Sequence, residues 1–595
     1  MSKFRRLLYV AAALTIAASL FAGCAKDDGK DPDADFTPGN DRLGDVNALE
    51  MARLMGYGIN LGNTMEACDS RNRIPNRESA VYETMWGNPV TTQEMITGMR
   101  NSGFKTLRIP VAWTNAIDFE NGNFHINEGY LDRIEEIINY ALNEDMFVII
   151  NDHWDHGWWS MFGHPDAAWR EFALELFLSM WEQIADRYKD YDYRLIFEPA
   201  NEEWGNRFND RTPFSPTGGT LTQDECYMLL TKLSQDFVNL IRASGGNNPN
   251  RFLLLKGYNT DVTMTVDERF VLPVDPANRM LLDVHYYTPW SYCGDTSGIG
   301  TWGRTSEVEE MNNLLGSLQK FTDMGVGVVM GEWGVLDNEG EDRLTFFTNF
   351  LDNCDKYGYV PVLWDTGYTP EHGNLFDRND THTVVAPEIL ALFQSRDVAA
   401  RAGVSTAEII AAAEESMAAT LLKSADRKET ILTADEAYAW IMFSSGDWSV
   451  QYSVGDVYRP EQIAPGLVAT DVPITGEGTY TVALDFTGTA AGYADGFAFT
   501  AVGIMNGEIL YPGYHMYITE LLINGEQAEY EGLPYTTNDN PVTTRVNLYN
   551  EWVGDIPEEA RLYEGSRSDA SAVFLEKYLL AKIETLSVTF EYIAP

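Results

Sequence analysis

Basic residues are scarce in this chain. Lys and Arg number 42 against 89 Asp and Glu, a net charge of −47. Such a surface repels phosphate backbones and anionic bilayers, which excludes nucleic acid as a natural partner and favours a neutral substrate. Cysteine is scarce too: Cys24, Cys68, Cys226, Cys293 and Cys354 among 595 residues, with no C-x-x-C pair. That spacing excludes the usual zinc and dithiol motifs, and no metal or cofactor is expected. The last four cysteines can pair or serve as core thiols, and their spacing does not choose. No internal repeat is visible. Beyond the first 21 residues no run is long and apolar enough to span a bilayer. What is abundant is aromatic: 15 Trp and 30 Tyr. Flat rings stack on the apolar faces of sugars, and they also fill large cores, so composition alone does not decide between the two.

The first residues read as an address. Lys3, Arg5 and Arg6 precede an apolar stretch, Leu7 to Phe21, and Ala22-Gly23-Cys24 ends it. This resembles a bacterial lipobox, which implies a signal peptide over 1–23 and lipidation of Cys24. A secreted protein cut nearby is the plainer alternative. Residues 24–42 are acidic and rich in Gly, Pro and Asp, the composition of a disordered tether. Lys26-Asp27-Asp28 is similar to the export signal of some Gram-negative surface lipoproteins. The expected location is therefore the outer membrane, facing the exterior.

From 43 to 398, short apolar runs alternate with amphipathic helical patterns. The expected strands cover 57–62, 105–111, 146–152, 193–199, 251–257, 279–287, 326–333 and 359–365. Continuously apolar strands are buried on both faces. Eight of them alternating with helices predict a (β/α)8 barrel, whose chemistry sits at the carboxyl ends of the strands. Polar residues gather at those ends: Arg108, Asn151, His153, Asn201, Glu202, His285, Tyr287 and Glu332, with Trp364 at the end of the eighth strand. One such residue is usually a cap. Many at one rim are hard to read as structural, because each would lose solvation in a core.

Hydrolysis of a glycosidic bond needs two carboxyl groups, and Glu202 and Glu332 follow strands far apart around the rim. Around them stand NLGNT (60–64), WGNP (86–89), GFKTLRIPVAW (103–113), VIINDHW (148–154), FEPANE (197–202), DVHYYTPW (283–290), VVMGEWG (328–334) and VLWDTG (362–367). The set resembles glycoside hydrolase family 5, retaining β-glycanases on a barrel. The resemblance covers about 350 residues, in order. It implies Glu202 as acid/base, Glu332 as nucleophile and an endo-β-1,4-glucanase without a cofactor. A xyloglucanase, mixed-linkage glucanase or mannanase is the nearer alternative, and a non-catalytic glycan-binding lipoprotein the distant one. Arg108 and Tyr287 are then expected to lower the pKa of Glu332, and the neighbouring negative charge to raise that of Glu202. Asn201 would bind the sugar 2-hydroxyl. His153 and His285 would bind hydroxyls or set the charge around Glu202, and Trp364 would form a stacking floor.

Two departures from the family pattern stand out. Glu203-Trp204 replaces the frequent proline after the acid/base, which makes Glu203 a rival carboxylate. Trp154 replaces the second of two adjacent histidines, with His156 and Trp158-Trp159 nearby. Asn63, Glu66 and Trp86 either line distal subsites or brace the start of the barrel. Residues 399–428 read as a helical connector, and 429–595 as a β-sandwich from strands near 479–488, 496–507, 515–525, 543–553 and 583–593. Trp448, Tyr452, Tyr514, Tyr549 and Trp552 are either stacking residues for carbohydrate or core. The protein is expected to act as a monomer.

Overall fold

The computed structural model describes residues 46–69, 73–294, 301–335, 341–367, 373, 375–380, 383–397, 400–424, 436–445, 451–453, 458–460, 463–530, 533–534, 543–550, 570–571 and 574–595. The signal sequence, the tether, Cys24, Trp448 and Trp552 lie outside them.

Eight parallel strands close into a barrel in sequence order. They are β1 (Gly58–Asn60), β2 (Thr106–Ile109), β3 (Phe147–Asn151), β4 (Leu195–Glu198), β5 (Leu253–Lys256), β6 (Met280–Tyr286), β7 (Gly327–Trp333) and β8 (Val360–Leu363). Each falls inside an expected apolar run. A short helix, α1 (Ala48–Met55), precedes β1, and its start is fixed by a capping box between Asn47 and Glu50. The outer helices are α2 (Gln93–Asn101), α3 (Glu128–Asn143), α4 (Ala167–Arg187), α5 (Gln223–Ala243), α6 (Val262–Val266), α7 (Thr305–Ser317), α8 (Glu341–Tyr357) and α9 (Pro387–Arg396). Helix α6 is only five residues long, which is why no helical period is visible between β5 and β6.

Side chains alternate along each strand, so one set points to the helices and the other into the barrel. Val148, Ile150, Leu253 and Leu255 belong to the layer beneath the helices. Ile149, Ile196, Leu254, Leu281, Val329 and Val362 form an inner apolar plug, which Ala48, Met51, Ala52 and Met55 of α1 complete. One pleat further toward the carboxyl ends, the inward positions become Asn151, Glu198, Lys256 and Asp283, all fully buried. The barrel is thus sealed by hydrocarbon below and filled with charge above.

Helix α10 (Thr406–Ser424) lies within the expected connector. It docks on the barrel through Thr305 Oγ1 to Ser424 Oγ at 3.1 Å and Lys356 to Glu414 at 3.5 Å. Two five-stranded antiparallel sheets follow, with two small two-stranded sheets beside them among the described residues. Their main strands are β9 (Ala437–Ser445), β10 (Gly478–Asp485), β11 (Phe497–Met505), β12 (His515–Ile523), β13 (Thr544–Asn550) and β14 (Thr585–Ile593). β9 pairs with β11 and β11 with β13, while β14 lies between β10 and β12. Strand β14 alternates buried and open positions cleanly, whereas β9 and β11 are buried on both faces. The run AYAWIMFSS of β9 carries no alternation, and the sequence reading passes over it.

Of the stacking candidates, three lie among the described residues. Tyr452 is buried with its hydroxyl 2.6 Å from Asp471, Tyr549 is buried, and Tyr514 packs on Tyr511 and Tyr592 at 5.3 and 5.1 Å. Tyr452 and Tyr549 are core residues, and Tyr514 is half-buried at its edge. Cys68, Cys226, Cys293 and Cys354 are buried free thiols, and no disulfide occurs among the described residues. Among these residues no helix is long and apolar enough to cross a membrane.

Candidate active site

Arg108, inward on β2, organises the rim from below. Its guanidinium takes Glu198 in a two-pronged pair at 2.8 and 2.9 Å, and reaches Glu332 Oε1 at 2.9 Å. The remaining N–H groups meet Asn60 Oδ1 at 2.9 Å and Asn201 Oδ1 at 2.8 Å. Lys256 bridges Glu198 at 2.6 Å and Asp283. Every one of these charged groups is buried, so each depends on its partners for the solvation it has lost. Lys256 and Asp283 are direct cross-strand partners, as are Asn60 and Arg108. Asp283 also accepts the Gly331 N–H at 2.9 Å. A Cβ on Gly331 would stand 2.2 Å from that carboxylate, so glycine is required immediately before Glu332.

The two glutamates face one another above this layer. A carboxylate oxygen of Glu202, an oxygen of Glu332 and a ring nitrogen of His285 all lie within 4.8 Å of one another. His285 Nδ1 is 2.8 Å from Glu202 Oε1 and 3.8 Å from Glu332 Oε2, and its Nε2 is 3.3 Å from Asp283. A register shift between Val284 and His285 brings His285 directly opposite Glu332 across β6 and β7. Tyr287 donates its hydroxyl to Glu332 Oε2 at 3.4 Å. The trio has the spacing of cation ligands, but Arg108, Lys256 and Arg207 already surround it with positive charge, and a protonated imidazole has no lone pair to offer.

The electrostatics differ from the expectation at both glutamates. Burial pushes the Glu202 carboxyl up, but the hydrogen bond and charge of His285, aided by Arg207 and Lys256, outweigh it and leave it below the ordinary glutamate value. Burial raises Glu332, and the opposing charges of His285 and Arg108 do not fully cancel it. Both shifts are the reverse of those expected. The reason is His285. Burial alone would lower it, but Glu332, Asp283 and Glu202 surround it and carry it up to about 9. In the resting site the imidazolium, rather than Glu202, holds the proton.

The other candidates gather here. His153 stacks on Trp364 with ring centres 5.8 Å apart and planes 10° apart. Burial, then Arg108 and His285, push His153 well below its ordinary value, so it is neutral. Asn151 accepts the Val111 N–H at 3.2 Å and meets His153 Nδ1 at 3.3 Å, which fixes the turn after β2. Asn201 gives its amide oxygen to Arg108, which leaves its NH2 toward His153 Nε2 at 3.4 Å and the cleft. Glu203 is not a rival acid. Its oxygens accept the backbone N–H of Trp154 at 2.7 Å and of Asn201 at 2.6 Å, and the residue is only 2% exposed. Glu66 likewise accepts the N–H of Asn63 and, at 2.9 Å, of Thr64. It braces the turn after β1, and burial raises it to about 7. Asn63 is half-buried on that turn, whereas Trp86 is exposed. His156 and Trp158 are packed away, His156 against Asn115 at 3.0 Å.

Several site residues escaped sequence reasoning. Glu198, Lys256 and Asp283 interrupt LIFE, LLLK and MLLDVHY as Arg108 interrupts TLRI. A lone charge at an inward position of a buried strand was the available signal. Arg207 gave none, because it lies in a polar loop. Beside the pair, a cavity of about 380 Å³ is lined by Glu202, His285, Tyr287, Asn259, Trp290 and Glu310, among others.

A closed parallel barrel with two opposed glutamates at its carboxyl rim is the construction of a barrel glycosidase. The chain belongs to glycosyl hydrolase family 5: residues 70–369 match the family model described as cellulase. It is 35% identical over 372 residues to an endoglucanase A of Paenibacillus barcinonensis, covering 57% of this chain and 88% of that protein. It is 32% identical to a xyloglucan-specific endo-β-1,4-glucanase of Bacteroides ovatus, covering 60% of this chain and 72% of that one. A broad-specificity endoglucanase from Ruminococcus champanellensis, solved with cellotriose, superposes with a TM-score of 0.52 at 30% identity, covering 59% and 98% of the two chains.

Proposed function

We propose that this chain is a retaining endo-β-1,4-glucanase in which Glu202 is the acid/base and Glu332 the nucleophile. The observation that carries this is the approach of the two carboxylates to within 4.8 Å. Retaining enzymes hold their carboxyl groups about 5–5.5 Å apart, whereas inverting ones need about 6.5–9.5 Å to admit water. Arg108 and Tyr287 fix one oxygen each of Glu332, which leaves the carboxylate aimed into the cleft. The acid form of Glu202 is one proton transfer away along the 2.8 Å bond from His285. In the first step Glu332 attacks the anomeric carbon while Glu202 protonates the departing oxygen. In the second, water attacks that carbon, Glu202 takes the water proton and Glu332 leaves as carboxylate. The NH2 of Asn201 serves the sugar 2-hydroxyl, and Trp364, stacked on His153, serves as the ring floor.

The glucanase reading is supported by the endoglucanase relatives, and a xyloglucan preference by the Bacteroides ovatus relative. Reducing-end release from carboxymethylcellulose, xyloglucan, lichenan, mannan and xylan tests both. Cleavage of the first three fits a broad β-1,4-glucanase. Cleavage of mannan or xylan alone would overturn it.

The finer setting is also a proposal. The basic start, the apolar run and Cys24 support export as a lipoprotein of the outer membrane. Cys24→Ala should then move the enzyme from the membrane to the soluble fraction, and an unchanged distribution would remove this reading. The same preparation, in detergent, should run as a monomer by light scattering.

A further inference from the structure

Arg207 has no place in the scheme above, yet it touches the acid/base. It sits on a single turn, Asn206–Asn209, just after Glu202. Its Nη1 is 3.4 Å from Glu202 Oε2, the oxygen that His285 does not hold. Its Nε is 3.1 Å from Asp210. Its guanidinium lies over the Trp154 ring at 5.0 Å and the Trp159 ring at 5.6 Å. The two rings meet edge to face at 5.4 Å, and Trp159 Nε1 donates to the Trp154 carbonyl at 2.8 Å. A flat cation over indole is an attractive and orienting contact.

The support beneath is built. Trp154, Asp155 and His156 have φ of 49°, 40° and 61°, a left-handed stretch that costs L residues energy. It is held because Asp155 accepts Thr114 N–H at 2.8 Å and Glu203 accepts Trp154 N–H at 2.7 Å. The turn bearing Arg207 is anchored by Asn259, which accepts Asn206 N–H at 2.8 Å and donates to the Glu202 carbonyl at 3.0 Å. The replacement of a histidine by Trp154 thus gives Arg207 its seat.

We infer that Arg207 is a positioning residue that fixes the outer oxygen of Glu202 and favours its carboxylate form, speeding the second half-reaction and restraining the first. The inference rests on Glu202 as the acid/base. Other groups face Glu202 as well: His285 from β6 and Tyr287 just after it, Glu332 from β7, Lys256 from β5, with Asp261 and Glu310 on the cavity wall. Arg207 is the cation among them on the solvent side, its side chain 33% exposed.

The test compares wild type with Arg207→Ala, Arg207→Met and Arg207→Lys on two substrates. A dinitrophenyl β-cellobioside needs no acid to leave, so its kcat reports the second half-reaction. On it, the alanine and methionine variants should lose about tenfold in kcat, the scale of one nearby charge of partly screened strength. On cello-oligosaccharides, whose leaving group needs the proton, the alkaline limb of kcat/KM should move to higher pH. Lysine should recover most of both effects. Unchanged kcat and limbs in all three variants, or lysine no better than methionine, would overturn the inference. Glu202→Gln separates the underlying assumption. If it still hydrolyses cello-oligosaccharides at the wild-type rate, the acid/base assignment has failed, whatever Arg207 does.

Discussion

The Nδ1 atom of His285 stands 2.8 Å from Glu202 Oε1, so a single proton shift converts a carboxylate–imidazolium pair into a carboxylic acid and neutral ring. The free enzyme's pH dependence should follow this pair. His285 titrates near 9, so the alkaline limb of kcat/KM should lie well above that of an unassisted glutamic acid. The acid limb should lie above the ordinary glutamate pKa, because burial raises Glu332. His285→Gln should pull the alkaline limb down, and an unmoved limb would show that His285 does not hold the proton.

Stability should carry the same signature. A histidine raised to about 9 in the folded protein contributes stability that is full below its unfolded value, near 6.5, and lost as pH rises through about 9. Wild-type Tm should therefore fall between pH 7 and 9.5, a loss on the order of 3 kcal/mol. His285→Gln should flatten that part of the profile, which differential scanning calorimetry would follow.

Glu332→Ala should lose about 10³-fold or more in kcat. Azide should restore turnover and yield a glycosyl azide of inverted configuration. With Glu202→Ala, azide should give the retained anomer instead, on a substrate with a good leaving group. NMR of the products distinguishes the two, and the opposite pattern would exchange the roles.

Glu203→Gln should separate bracing from chemistry. The amide loses at least one of the backbone bonds to Trp154 and Asn201, so Tm should drop while kcat stays within about tenfold of wild type, against a loss above 10² for Glu202→Gln. Equal losses in both variants would reinstate Glu203 as a chemical participant.

Lys256→Met should destabilise the barrel by about 3–5 kcal/mol, because it takes the lysine from buried Asp283 and leaves Glu198 to Arg108 alone. Urea unfolding would measure it. Arg108→Lys should be worse for activity than for folding, since a single ammonium cannot serve Glu198, Glu332 and Asn201 together.

Most of the barrel was legible because buried parallel strands leave unbroken apolar runs, and because polar residues at their carboxyl ends have few structural excuses. Glu202, Glu332, Arg108, His285 and Tyr287 emerged that way. Three kinds of feature did not. The proton balance between the glutamates depends on Asp283 and Lys256, residues of neighbouring strands that only strand register brings together. The brace of Glu203 and the seat of Arg207 depend on loop backbone conformation, which Trp154-Asp155-His156 does not advertise. The strand Ala437–Ser445, buried on both faces, lacks the alternation that would mark it as one sheet of a sandwich.

The layer of buried charge beneath the glutamates has a consequence for the whole cycle. When Glu332 becomes a glycosyl ester it gives up a negative charge, and the Glu202–His285 pair, having surrendered its proton, becomes more negative by one. Water reverses both changes. Arg108, Lys256, Glu198 and Asp283 therefore face a constant total charge at the start and end of each half-reaction, displaced sideways by a few ångströms. The interior never has to absorb a new ion, so a rigid, water-poor foundation can serve both steps without rearranging.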